Sequence, residues 1–249
     1  MRHDEIWDEE TAENYDTPGT AMFAPAVLVP VVDRLAELAE GGAALEFAIG
    51  TGRVAVPLRE RGIPVAGIEL SPPMVAQLRK KVDEATIPVV IGDMSAATVP
   101  GRFSLVYLVF NGMSNLLSQP EQVACFRNAA RHLSPGGRFV IELGVPELRK
   151  LPPGREAVVW RAESGYVGLD KYDVLRQQVV SYHFHFGEGS VARLFRSPHR
   201  YVWPAELDLM AELADFALET RHADWRGTPF TGESESHVSV YRLPARSGA

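Results

Sequence analysis

The chain has 249 residues, 46% hydrophobic and 23% charged, with a formal net charge of −7 and one cysteine. That length suits one elaborated domain or two small ones, with a core that needs neither disulfide nor metal. The acidic balance, unbroken by a basic cluster, argues against a nucleic-acid surface. A single cysteine rules out an internal disulfide, and no apolar run is long enough to span a bilayer. With a charged amino terminus (Arg2, His3, Asp4, Glu5) and no apolar signal core, the expectation is a cytoplasmic monomer or homodimer, without nucleic-acid or membrane partner.

Residues Ile6 to Asp16 read as a short, mostly polar helix ending before Pro18-Gly19. Such a helix gains little from burial, so it is expected to act as a lid, with Tyr15 and Asp16 either entering a cleft or anchoring it. A second helix, about Ala26 to Glu40, carries Val27, Val31, Leu35 and Leu38 on one stripe and stops at Gly41-Gly42. Then strands and helices alternate. Strands are predicted at Ala44–Ile49, Val65–Leu70, Ile87–Ile91, Phe103–Phe110 and Arg138–Leu143, with helices at about Arg53–Arg61, Pro72–Glu84 and Glu121–His132. Repeated βα units predict an α/β fold, a Rossmann-like, mostly parallel sheet with helices on both faces. After Pro146 the period changes to two: Ala157–Arg161, Tyr166–Leu175, Gln178–Phe186 and Val191–Trp203 read as an antiparallel β insertion. A helix opening at Pro204 and strands Leu218–Trp225 and His237–Leu243 complete a seven-stranded sheet, and Ala245 to Ala249 form a frayed tail. The expected division is 1–40 lid, 41–145 core, 146–203 insertion over the site, and 204–249 the last helix and strands.

Leu45-Glu-Phe-Ala-Ile-Gly-Thr-Gly-Arg53 is strand, tight turn and helix start, where backbone amides face outward. Gly50-x-Gly52-x-x-Ala55 also fits the dinucleotide fingerprint of nicotinamide and flavin enzymes. A glycine turn with no ligand is the third reading. Ligands of open parallel sheets bind beyond the carboxyl ends of the strands, where the order reverses. At or just past those ends lie Glu46, Glu69, Asp93, Asn111 and Glu142. Glu69 follows the glycine turn by about 20 residues, where an acid can accept from both ribose hydroxyls. Asp93 can accept from an adenine amino group beside Met74 or Met94, or cap a helix.

As a set, the glycine stretch, the acid of Gly-Ile-Glu-Leu-Ser-Pro-Pro-Met, Gly-Asp-Met at 92–94 and Leu-Ser-Pro-Gly-Gly at 133–137 resemble the class I S-adenosylmethionine-dependent methyltransferases. The resemblance covers about residues 41 to 143 and departs from many members at Ala48, where they have glycine. It implies backbone contacts from Ala48, Gly50 and Gly52 to the methionine part of S-adenosylmethionine, a loop supported by Glu46, and Arg53 reaching the carboxylate. It also implies Glu69 and Leu70 at ribose and adenine, Asp93 and Met94 at adenine, and Phe110 on the cofactor's inner side. The flanks are similar to bacterial small-molecule methyltransferases, including antibiotic-pathway sugar N-methyltransferases. Transfer to a nitrogen or oxygen of a small acceptor, leaving S-adenosylhomocysteine, is therefore expected. A non-catalytic binder of the cofactor and a nicotinamide-dependent oxidoreductase are the alternatives.

In-line methyl transfer needs alignment, exclusion of water and an unprotonated acceptor. In Ser181-Tyr-His-Phe-His-Phe186, strand geometry puts His183 and His185 on one face and the aromatic residues on the other. Those histidines face either solvent or the cleft, where one would position or deprotonate the acceptor. Asn111 and Asn115 either orient the acceptor or serve the turn at Gly112. Trp203 and Trp225 are pocket wall or core. No metal site is expected, because His-x-His lacks a third ligand.

Overall fold

The computed structural model describes residues 8–16, 21–187 and 192–245. The expected positions at 6, 7, 18, 19 and 191, and the tail beyond 245, lie outside the described residues. The first described helix, α1 (Glu9–Tyr15), is N-capped by Asp8, whose side chain accepts from the Thr11 amide at 2.9 Å. Helix α2 (Pro25–Ala39) buries Val31, Val32, Leu35 and Leu38.

The βα alternation follows: β1 (Ala44–Phe47), α3 (Ala55–Glu60), β2 (Val65–Glu69), α4 (Pro72–Arg79), β3 (Val89–Ile91), β4 (Phe103–Leu108), α5 (Gln119–His132) and β5 (Leu133–Gly144). The antiparallel strands are β6 (Ala157–Glu163), β7 (Tyr166–Asp173), β8 (Gln178–Phe186) and β9 (Ala192–Arg200). Helix α6 (Pro204–Glu212), β10 (Ala217–His222) and β11 (Ser236–Arg242) end the fold. The seven-stranded sheet has the order β10-β11-β5-β4-β1-β2-β3, with all strands running the same way except β11, which is antiparallel to both β5 and β10. Because β1 lies between β2 and β4, the order reverses there, and the glycine loop leaves β1 at that switch point.

Alternate residues of the strands feed two apolar layers. Leu45 and Phe47 join Phe126, Ala129, Leu207 and Met210 on one face. Ala44, Leu105 and Tyr107 join Val31, Leu35 and Leu58 on the other. Cys125 is buried in the first layer, where burial raises its thiol far above the usual range. Strands β6 to β9 form a separate four-stranded sheet in chain order. No helix among the described residues is long and apolar enough to cross a membrane.

Several boundaries differ from expectation, and three of them follow from hydrogen bonds that periodicity does not encode. Helix α4 stops at Arg79 rather than Glu84, and the Asp83 carboxylate takes the Thr86 amide at 2.7 Å in a local turn. Strand β5 begins at Leu133 rather than Arg138: the Gly136 amide donates to the Leu243 carbonyl at 3.0 Å and Leu243 returns a bond to Gly137 at 2.9 Å. Strand β10 ends at His222 rather than Trp225, where Asp224 accepts from the amides of Arg226 and Thr228 at 2.8 and 3.1 Å.

Candidate active site

The glycine loop is held from below by two buried carboxylates. Glu69, at the end of β2, accepts from the Gly50 amide at 2.8 Å through one oxygen and from the Ser71 amide at 2.9 Å through the other. Glu69 also lines the cavity above. Burial raises its carboxyl above the ordinary value despite those amides. Ala48 has φ 52 and Gly50 φ 56, so the turn needs left-handed backbone at both, and Ala48 adopts it although it carries a Cβ.

Glu46 accepts from the Tyr107 hydroxyl at 2.9 Å. Burial pushes its carboxyl up from 4.5 to about 8, against the Tyr107 hydrogen bond and the Arg53 charge. A folded value above the unfolded one means a stabilising contribution that is complete below the unfolded value and lost as pH rises through the folded one. Between pH 7 and pH 9 the wild-type protein is expected to lose about 1 kcal/mol relative to Glu46→Gln, read from urea midpoints. Equal losses in both proteins would show Glu46 already ionised in the fold.

The rest of the parallel-sheet rim contributes an apolar and polar wall. Asp93 accepts from the Ser95 amide at 2.7 Å, so it does serve a local turn, and it lines the cavity with Met94 and Leu70. Buried Asn128 holds this segment by donating to the carbonyls of Met94 and Ala97 at 2.8 and 3.0 Å. Phe110 (φ 52) and Asn111 (φ 60) are consecutive left-handed residues. The Phe110 amide donates to Glu142 at 2.8 Å and the Asn111 side-chain oxygen takes the Gly144 amide at 2.7 Å. Asn111 thus ties β4 to β5 while it lines the cavity.

Helix α1 closes over this loop. The Asp16 carboxylate accepts from the Thr51 hydroxyl at 2.6 Å and pairs with Lys81, whose ammonium also donates to the Thr51 carbonyl at 2.8 Å. Tyr15, the preceding residue, lines the cavity, so cleft and anchor roles fall to neighbouring side chains. Arg53 donates to the Met22 carbonyl at 3.2 Å and lies over the Phe110 ring, 5.0 Å from its centroid. At its other end α1 reaches the insertion through the Glu10–Arg193 ion pair.

The insertion sheet supplies the opposite wall. Register places Gly168↔His183↔Phe195, Asp170↔Ser181↔Ser197 and Tyr172↔Val179↔His199 on successive rungs of one face. His183, Asp170, Tyr172, Ser197 and His199 all line the cavity, whose volume is about 650 Å³. The Tyr166 hydroxyl and His183 Nδ1 are 2.7 Å apart, and Ser197 Oγ and His199 Nε2 also 2.7 Å. Burial, aided by the charge of His185, lowers the His183 imidazole below its usual value.

Two expected site residues lie elsewhere. Gly52 does not line the cavity: with φ +79, a Cβ there would fall 2.3 Å from Leu78 Cδ1, so packing against α4 and backbone conformation account for it. His185 shares a strand face with His183 but lies past the cavity edge, exposed, with Tyr166 at 5.0 Å between centroids. Neither tryptophan walls the cavity; the Trp225 indole donates to Glu142 at 2.9 Å. Asp170, Tyr172, Ser197 and His199 were missed. Alternation along the strands was their only sequence signal, and it does not say which face is covered.

A sheet switch point with a glycine loop, acids at successive strand ends and a covering insertion make up the ligand site of a Rossmann-like protein. A methyltransferase-domain family model matches residues 44–137. The solved CcbJ methyltransferase from Streptomyces caelestis is 37% identical, with a TM-score of 0.85, covering 96% of this chain and 98% of that one. The cypemycin N-terminal methyltransferase of a Streptomyces species is 26% identical over 96% of this chain and 98% of its own length. The dTDP-3-amino-3,4,6-trideoxy-alpha-D-glucopyranose N,N-dimethyltransferase of Streptomyces venezuelae is 33% identical over 41% of this chain and 43% of its own. The chain belongs to the S-adenosylmethionine-dependent methyltransferases, whose cofactor is S-adenosylmethionine.

The residues present fit that group. The buried acids Glu46 and Glu69 suit the hydroxyls and cationic groups of such a nucleoside. The left-handed loop at Ala48 and Gly50 keeps side chains off the backbone, and about 650 Å³ accommodates a nucleoside with a small acceptor.

Proposed function

We propose that the protein methylates a nitrogen of a small molecule by in-line displacement, inside a chamber formed by the glycine loop, the lid and the insertion. The observation that carries this is continuity: one cavity is lined both by Gly50, Glu69 and Asp93 of the parallel-sheet rim and by Asp170, His183 and Ser197 of the insertion. Nitrogen is favoured because the full-length relative and the amino-sugar relative are both named as acting on amine positions.

S-adenosylmethionine supplies a methyl group on a good leaving group. In this reading the backbone at Ala48 and Gly50, with Glu46, Glu69 and Arg53, holds its amino-acid and ribose parts. Leu70, Met74, Asp93, Met94 and Phe110 hold the base and inner side. Residues 41–145 and 204–249 then form the cofactor-binding unit, and 146–203 with the lid 1–40 enclose the acceptor. Closing the cleft excludes water and fixes the approach of the nucleophile, the main source of rate in such a reaction.

Of the two histidines, His183 is the one in position to act on the acceptor. In the tautomer whose Nδ1–H donates to the Tyr166 oxygen, Nε2 is left to accept a proton from the acceptor nitrogen, and burial, by lowering the imidazole's pKa, favours its neutral form. His183→Ala is expected to slow turnover about 100-fold and to remove the His183 inflection from the acid limb of the pH–rate profile, while His185→Ala leaves turnover at neutral pH unchanged. Unchanged turnover in His183→Ala removes the role.

The reading as a whole is tested by calorimetry with S-adenosylhomocysteine against NADPH, followed by mass analysis of an amine panel incubated with S-adenosylmethionine. Binding of NADPH alone refutes it, and tight cofactor binding without methylated product favours a binding protein.

A further inference from the structure

The amino-sugar relative carries in its name a nucleoside diphosphate on the acceptor. A site for such an acceptor needs cationic or amide donors for two phosphates. The insertion half of the cavity has the opposite character. Among the described residues the charged groups lining this half are Asp170, Glu147 and Glu235, and Arg53 is the only described arginine or lysine that lines any part of the cavity. Arg53 is engaged at the other end, by the Met22 carbonyl and the Phe110 ring. Lys150 sits behind the rim, between Glu147 and Glu235 at 2.5 and 3.0 Å, so that the three together still carry net negative charge.

Asp170 is the built part of this surface. Its Oδ1 accepts from the Trp160 indole at 3.1 Å and from the Ser181 hydroxyl at 2.7 Å, and two donors on one oxygen fix the carboxylate's orientation. Oδ2 accepts nothing from the described side chains or amides. The imidazoles on the same face, His183 and His199, and the phenols of Tyr172 and Tyr201 complete the lining without adding a fixed positive charge. Burial raises the Asp170 carboxyl above its ordinary value, a cost that a cation beside it would offset.

We propose that the insertion half of the cavity is an ammonium subsite centred on Asp170, and that the acceptor is a free amine bearing no phosphate. The inference rests on the methyltransferase reading above. The amine enters as R–NH3⁺ against Asp170 and loses one proton to His183. Its lone pair then forms the N–C bond as the C–S pair returns to sulfur, leaving a methylated ammonium and a neutral thioether. The alignment with the dTDP-sugar relative spans 41% of this chain, so a shared cofactor core does not bring a shared acceptor handle with it.

The test uses the full-length protein saturated with S-adenosylhomocysteine, titrated with benzylammonium, benzyl alcohol and dTDP under NMR observation. Benzylammonium is expected to bind at least about tenfold more tightly than benzyl alcohol, Asp170→Asn to abolish that preference, and dTDP to leave the insertion resonances unmoved. Equal affinities for the two benzyl probes, a preference that survives Asp170→Asn, or dTDP binding on β7 to β9 overturns the proposal. Unchanged S-adenosylhomocysteine affinity verifies the variant's fold, and the wild-type comparison with dTDP does not depend on it. Failure of the wild-type protein to bind S-adenosylhomocysteine at all refutes the methyltransferase reading instead, so the two failures are separable.

Discussion

Glu69→Ala is expected to bind S-adenosylhomocysteine about 100-fold more weakly than the wild-type protein and to be less stable by about 2–5 kcal/mol. The carboxylate does two things at once. It accepts the amides of Gly50 and Ser71 at 2.8 and 2.9 Å, and it lines the cavity where, in the proposed reading, a ribose or a cation would sit. Alanine leaves two buried amides without an acceptor, each worth about 1–3 kcal/mol, and frees the loop whose left-handed turn shapes the cofactor end. Glu69→Gln separates the parts. Its single carbonyl oxygen keeps one amide, while its NH2 group opposes the other, so stability should fall less than for alanine and affinity should still drop. Calorimetric affinity and a urea unfolding curve on the same preparation provide the check. Undiminished affinity in a folded Glu69→Ala protein would remove Glu69 from the cofactor site and leave it a loop brace.

The parallel sheet was legible because its strands, buried on both faces, are apolar runs punctuated by glycine and proline, and because β1 to β5 each end near a polar residue. The double use of those residues was not. From sequence, Glu69 reads as a ribose ligand, Asp93 as either an adenine acceptor or a cap, and Asn111 as a turn or acceptor residue. The structure gives each a backbone partner and a cavity exposure together. Gly52 shows the reverse case: its spacing marks it as a ligand glycine, yet the contact that needs it is with Leu78, which lies 26 residues on in α4. The insertion wall of the cavity was least legible. Alternation separated His183 from Phe184 correctly, but Asp170, Ser197 and His199 come together only through cross-strand register. His183 and His185 are equivalent in a two-residue period and differ only in how far the cavity extends along β8.

Arg200→Ala is expected to destabilise the protein by about 3–5 kcal/mol, a fall in melting temperature of about 10 °C for a chain of this length. Arg200 ends β9 and is 5% exposed. Its guanidinium donates to Gln122 of α5, to Gln177 in the β7–β8 turn at 3.0 Å, and to Glu206 of α6 at 2.7 Å. Glu206 in turn accepts from Gln119 and Gln177, both at 2.8 Å. Burial alone would raise the Glu206 carboxyl, but these hydrogen bonds, Arg200's foremost, hold it below its ordinary value. Removing the arginine therefore leaves a largely buried carboxylate without its cation, the situation in which breaking a pair costs most. The same network fastens the insertion to the helices under it, so in the proposed reading acceptor KM should rise while S-adenosylhomocysteine affinity, assigned there to the glycine loop, stays within about twofold. Adding Glu206→Gln to Arg200→Ala removes the stranded charge and should recover part of the loss, which a double-mutant cycle reads directly. A loss below about 1 kcal/mol in Arg200→Ala, with no recovery in the double variant, would mean that Glu206 is solvated once the arginine is gone and that the insertion is held by its apolar contacts alone.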